Sequence, residues 1–240
     1  WFFGVGGILA AVFLTALAID PIYIIIGIAL IYGIIILFNS YKIHWDIYAV
    51  VYFAGSFILL CGLAYGSPKI LEKMPKHQRE RIEVLYKGEK AFRDTSGYNL
   101  LYSKTAIGSG GFFGKGYKEG SVTQGKFVPE QETDYIFCTV GEEWGFFGAS
   151  VLILFYTIFI GRIYYLSEQQ KSTFNRVFGY CFASILLMHF AINLGMVMGL
   201  FPTVGIPLPF FSYGGSSFLA FSIMTFIFFK LNYTDRNSLV

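Results

Sequence analysis

Charge is what this 240-residue chain has least of: Asp, Glu, Lys and Arg make up only 14% of it, against about a quarter in a soluble domain. With 55% hydrophobic residues, including 27 Phe and 17 Tyr, too little polar surface remains to wet a soluble globule. Intrinsic disorder is excluded as well, because it requires low hydrophobicity. A net charge of +3 provides no electrostatic footprint for a nucleic acid. Cysteine is scarce: Cys61, Cys138 and Cys181 stand apart, so neither a disulfide framework nor a CxxC metal site is read. The three histidines, His44, His77 and His189, do not cluster, and no metal site is expected. The chain opens at Trp1 with neither Met nor a charged leader and is expected to be a fragment or a processed chain.

What is present is a series of long apolar runs. Spanning a bilayer takes about 20 apolar residues, and six segments qualify: 1–19, 22–38, 47–65, 144–160, 177–200 and 210–229. They show no barrel-like alternation, so helices are predicted, because lipid cannot satisfy open backbone. The expected fold is an all-α polytopic membrane protein with three spans in 1–66, a long polar segment at 67–143 and three spans in 144–240. Lys42, Arg162, Lys171, Arg176, Lys230 and Arg236 lie in the short loops and the tail, whereas the turns at 20–21 and 201–209 carry no basic residue. The positive-inside rule then puts the basic loops in the cytoplasm and 67–143 outside.

That outer segment holds twelve of the 18 basic and eleven of the 15 acidic residues. A chain that concentrates its polar chemistry in one long loop is expected to work there. Its first part, LEKMPKHQRERIEVLY, mixes apolar and charged residues at helical spacing and predicts an interfacial helix. IGSGGFFGKG follows. It is a phosphate cradle of backbone N–H groups with Lys104 or Lys115 adding charge, or, the more favoured reading, a plain glycine turn. It lacks the GK[ST] ending of a Walker A loop. PEQETDYIF offers Glu130, Glu132 and Asp134 at a membrane–water boundary, where lost hydration raises a carboxyl pKa and suits proton abstraction; a solvated loop end is the alternative. Glu142 and Glu143, beside Trp144, are read as paired or functional, or as stabilising a helix start. Pro202, Pro207 and Pro209 make the last outer connection irregular, so it is expected to wall a cavity or to form a tight turn. His189 is a proton relay or a packed, hydrogen-bonded histidine.

Five blocks carry a resemblance: HQRERI (77–82), GYNLLYSKTAIGSGGFFGKG (97–116), VPEQETDYIF (128–137), GEEWGFFG (141–148) and FPTVGIPLPFFSYGGSS (201–217). In order and spacing they resemble the SEDS family (shape, elongation, division and sporulation), and their details look more like its RodA branch than its FtsW branch. The match spans about residues 66–235. The resemblance implies a ten-helix fold of which this chain supplies six helices. It also implies a peptidoglycan glycosyltransferase that polymerises lipid II for cell elongation and shape. Such an enzyme sits in the bacterial cytoplasmic membrane, works at its outer face and pairs with a class B penicillin-binding protein. The family's essential aspartate follows a threonine, which assigns Asp134 after Thr133 as general base. Glu130, Lys104, Lys115, Arg79 and Arg81, with Ser212 and Ser216 of SYGGSS, match the family's other motif positions and are expected to bind substrate. Tyr102 stands where the family has Gln, and Glu132 where it often has His.

The implied reaction needs a base on the acceptor hydroxyl and positive charge on the departing lipid pyrophosphate. Direct displacement inverts the anomeric centre. A divalent cation could share the pyrophosphate load, although no residue pattern specifies one. Two rivals stand beside this reading. A flippase for lipid-linked precursors should carry polar groups on both sides of the midplane, and these spans nearly lack them. A non-catalytic scaffold for a penicillin-binding protein would not need the Thr133-Asp134 pair.

Overall fold

A computed structural model describes residue 12 and residues 20–39, 47–95 and 97–237. The chain divides into two units, one ending at Gly88 and the other beginning at Glu89, so the expected outer segment is shared between them. All regular structure among the described residues is helical.

In the first unit, α1 (Pro21–Asn39) pairs with α2 (Ile47–Lys73). The Tyr32 hydroxyl donates to Ser56 Oγ at 2.8 Å, and its ring packs edge-on against Phe53 and Phe57. The third expected span reaches past residue 65 to Lys73 and carries Pro68 inside it. Pro75 then precedes α3 (Lys76–Lys87), the predicted amphipathic helix, which is therefore shorter at its start than its sequence pattern suggests. Along α3, Arg79 Nε and Lys87 Nζ flank the Glu83 carboxylate at 2.6 and 2.8 Å. These are the i,i+4 pairs that helix geometry brings together.

The second unit opens with a short 3₁₀ turn (Glu89–Phe92). It continues through α4 (Tyr98–Ser109), one turn of helix, α5 (Ser121–Gln124), and α6 (Ile136–Glu143). The long helices α7 (Gly145–Glu168), α8 (Thr173–Met198) and α9 (Gly215–Asn237) follow. Helix α8 packs against α4, α7 and α9. Tyr156, Ile160, Phe182, Leu186, Phe221 and Phe228 form the core among α7, α8 and α9. A second cluster, Ala106, Phe137, Cys138, Met196 and Val197, seats α4 and α6 on the end of α8. Gly199 ends α8 at φ +79°, its N–H bonded back to the helix, the left-handed cap that glycine takes without strain.

Of the six expected spans, four are long and apolar enough to cross a membrane: 53–73 within α2, and α7, α8 and the 215–235 part of α9. Helix α1 is apolar, but its apolar stretch, Pro21–Ile34, is shorter than that, and the first expected span, 1–19, lies almost wholly outside the described residues. The last expected span begins at Gly215 rather than at residue 210, because Phe210 holds a left-handed φ of +63° and the 208–212 residues close a turn of their own.

Candidate functional site

Three segments of the second unit meet around Asp134. The turn at 130–135 is closed by the Asp134 and Tyr135 N–H groups, both bonded to the Glu130 carbonyl at 3.1 Å. Its far side is held by the irregular 199–214 connection, where the Tyr213 N–H donates to the Glu132 carbonyl at 2.8 Å. From α8, the Asn193 amide nitrogen donates to the Asp134 carbonyl at 2.9 Å and to the Ile206 carbonyl at 2.7 Å. Asn193 is fully buried. The Asp134 side chain is half-buried and lies against Gly205. A Cβ at Gly205 would meet Asp134 Oδ2 at 2.9 Å, and the Gly205 φ of +80° disfavours any side chain there.

Beside this turn opens a cavity of about 490 Å³. Thr123, Gln124, Lys126, Glu130, Glu132 and Tyr213 are among its lining residues. The exposed Glu130 carboxylate accepts the Thr133 hydroxyl at 3.2 Å. Asp134 is not itself among the residues that line this cavity; its neighbours Glu132 and Thr133 are, and its own carboxylate lies against Gly205. Backbone strain lies close by. Phe210, at φ +63°, and Lys126, at φ +51°, hold left-handed conformations without being glycine, an arrangement that recurs at functional sites.

The glycine-rich stretch has another job. The N–H groups of Lys115 and Gly116 donate to the Glu142 and Glu143 carbonyls, each at 3.0 Å, and those of Phe146 and Phe147 donate to Gly111 and Phe112. A Cβ on Gly110 would lie 2.0 Å from the Gly141 carbonyl oxygen, and one on Gly114 2.1 Å from that of Glu143. The glycines thus let two backbones touch. The donors a phosphate cradle would use at Lys115 and Gly116 are spent on carbonyls, so the structure agrees with the plain-turn reading.

Under that loop lies Glu142, with no exposed surface. Its carboxylate accepts Lys115 Nζ at 2.7 Å, the Val122 N–H at 3.0 Å and the Thr123 N–H at 2.8 Å. Burial by itself would raise this carboxyl; the Lys115 ammonium and the two backbone N–H groups more than offset it and hold the pKa at about 2. Of the two readings for Glu142, pairing is what the structure displays, and the partner is Lys115.

The other expected residues are dispersed. Lys104 lies over Gly199, where a Cβ would meet its Cε at 2.8 Å, and its ammonium pairs with Glu89 at 3.3 Å. That bond, with a larger contribution from the Glu89 backbone N–H, holds the Glu89 carboxyl below its usual range. Ser212 is buried, and its hydroxyl oxygen accepts the Leu208 N–H at 2.8 Å while its own N–H donates to the Leu208 carbonyl. Ser216 is exposed in the first turn of α9. Arg79 and Arg81 lie on α3 of the first unit, Arg79 bonded to Glu83 and Arg81 exposed. His189 bonds the Ile185 carbonyl of its own helix and meets the Phe221 ring edge-on, which is the packed reading. Burial pushes the Cys138 thiol up to about 12, which leaves it inert as a nucleophile. Among the described residues, no three His, Cys, Asp or Glu gather as metal ligands.

Sequence reasoning missed Asn193, Gly205 and Tyr213. The signal for Asn193 was present: an amide in a membrane-length apolar helix usually faces protein and bonds there.

Over residues 3–237 the sequence matches the family described as cell cycle protein, FtsW/RodA/SpoVE. The chain belongs to that family. It is 40% identical over 146 residues to the peptidoglycan glycosyltransferase MrdB of Escherichia coli K12, covering 61% of this chain and 39% of that protein. It is 31% identical over 173 residues to the peptidoglycan glycosyltransferase RodA of Treponema pallidum, covering 72% and 40%. The chain therefore spans about two fifths of the length of these curated relatives. A chain from a peptidoglycan synthase complex that coordinates polymerization and crosslinking shares the fold. Its TM-score is 0.57 at 24% identity, over 86% of this chain and 55% of that one.

Proposed function

We propose that this chain is part of a peptidoglycan glycosyltransferase that polymerises lipid II at the outer face of the bacterial cytoplasmic membrane, with Asp134 as general base. The observation that carries this reading is the built setting of Asp134. The turn that carries Asp134 is tied through its backbone to α8 and to the 199–214 connection, and its neighbours Glu130, Glu132 and Thr133 line a cavity large enough for sugar. The names of its relatives support the same chemistry.

The step is a single displacement. Asp134 takes the proton of an acceptor sugar hydroxyl, and that oxygen bonds the donor's anomeric carbon. The bond from that carbon to the lipid pyrophosphate breaks, and the pyrophosphate leaves with the electron pair. Attack opposite the leaving group inverts the anomeric centre. Lys104 is the cation proposed for the leaving group; Arg79 and Arg81, which belong to the first unit, are proposed as substrate-binding residues on the motif match alone. Arginine can grip a phosphate with two bonds, whereas lysine acts as a point charge. Lys115 is proposed to serve substrate only at second hand, because its ammonium is bonded to Glu142. Ser212 is likewise proposed to act through the 208–212 turn that it closes, and Glu130 and Ser216 through direct contact. If a divalent cation takes part, it shares the pyrophosphate charge with these residues.

The proposed partner is a class B penicillin-binding protein, its single membrane helix packed on lipid-facing surface of the bundle. The test is glycan polymer made from purified lipid II by the full-length protein in liposomes, with rising partner concentration. Polymer that increases as partner binding saturates supports the reading. Lipid II that crosses the bilayer without being polymerised would replace it with transport.

A further inference from the structure

The fully buried amide of Asn193 spends both of its N–H donors on two carbonyls from separate segments, Asp134 at 2.9 Å and Ile206 at 2.7 Å. Because both partners are acceptors, the amide orientation is fixed: the nitrogen must face them. Its Oδ1 is buried and has no hydrogen-bond partner among the described residues. Buried polar atoms are ordinarily satisfied, so this amide is placed for its donors and not for its acceptor. One of its carbonyls belongs to the residue bearing the carboxylate. The other follows Gly205, the residue against which Asp134 Oδ2 rests. A single side chain on a rigid helix thus ties the backbone of the base and the wall behind its carboxylate to one point.

We infer that Asn193 is a positioning residue for Asp134, acting on the reaction only through the placement of that carboxylate. The inference rests on the function proposed above. A base must lie within hydrogen-bond reach of its proton, and misplacement of about 1 Å costs roughly 100-fold in rate. An untethered 130–135 turn would retain the carboxylate and the cavity but lose that register.

The experiment is a double-mutant cycle in the full-length protein with its partner, with lipid II polymerisation as the readout. Asn193→Leu keeps the side-chain size and removes both donors. In the background carrying Asp134, the variant should lower kcat about 10- to 100-fold, with KM for lipid II within about threefold of the parent. In an Asp134→Asn background the same change should cost less than about twofold, because effects of residues acting as a unit are not additive. A residue that only supports the fold would reduce turnover by the same factor in both backgrounds, and that result, or an unchanged kcat in the first, overturns the inference. Asn193→Ser, smaller and retaining one donor, is carried through the same cycle should the Leu variant fail to fold, and the same criterion applies. Full activity of Asp134→Asn itself would instead remove the general base from the underlying proposal, so the two failures are told apart.

Discussion

Replacing Glu142 by Gln preserves shape and removes charge at the most enclosed carboxylate of the second unit. One amide oxygen cannot serve every donor now directed at this group. Oε1 accepts Lys115 Nζ and the Val122 N–H, and Oε2 accepts the Thr123 N–H. In either amide orientation, an NH₂ faces a donor, and the Lys115 ammonium loses its counter-charge. Two routes give the size of the effect. The carboxyl is held at about 2 against an ordinary 4.5, and at 1.36 kcal/mol for each unit that is about 3 kcal/mol. Breaking a buried pair by removing one partner costs about 3–5 kcal/mol, and the lower end applies because the Lys115 side chain keeps 28% of its exposure. The assay is thermal unfolding in detergent together with limited proteolysis across 109–125, where the loss should appear first. Removing both charges, Glu142→Leu with Lys115→Met, should be closer to the parent than Glu142→Gln alone. Acid should mimic the single change. With the folded value below the unfolded one, the stabilisation is complete above about pH 4.5 and is lost as pH falls toward 2. An unaltered melting transition and cleavage pattern in Glu142→Gln would refute the assignment of this pair as the clasp of the glycine loop.

Gly205→Ala puts a methyl 2.9 Å from Asp134 Oδ2 at a φ of +80°. It should cost about 1–2 kcal/mol and lower turnover at least about tenfold, whereas Gly161→Ala on α7, with open space around it, should leave polymer yield unchanged. Lys104→Met should lower turnover per folded molecule with little change in membrane association; a loss confined to association or stability, measured on the same preparation, would retire Lys104 from the pyrophosphate.

Much of this fold was legible in the sequence because lipid imposes a length rule on apolar runs. Helices α7, α8 and α9 contain the expected cores, with ends moved by capping and by the 208–212 turn. Helix α2 is the instructive exception. Its span is expected to end at residue 65, yet the helix carries Pro68 inside it and continues to Lys73. Asp134 is proposed from a motif, since a base needs only its residue type and neighbours to be suspected. The glycine loop was not reachable in the same way. Gly110 and Gly114 are required by carbonyls at positions 141 and 143, and no local pattern encodes a backbone contact across thirty residues. Lys115 matched a motif and was expected on substrate, but its nearest anion is Glu142, a pairing that only the folded chain reveals. Asn193 was hidden by its surroundings, one amide in an apolar run whose two partners come from distant turns.

In the proposed mechanism Asp134 removes the acceptor proton. The most direct measurement compares the full-length protein with its Asp134→Asn variant, polymerising purified lipid II in liposomes beside the partner. The parent should make glycan polymer, and the Asn variant, inserted and folded like the parent, should lose at least about 100-fold of that rate. A well-folded Asn variant that polymerises at the parental rate would contradict this role.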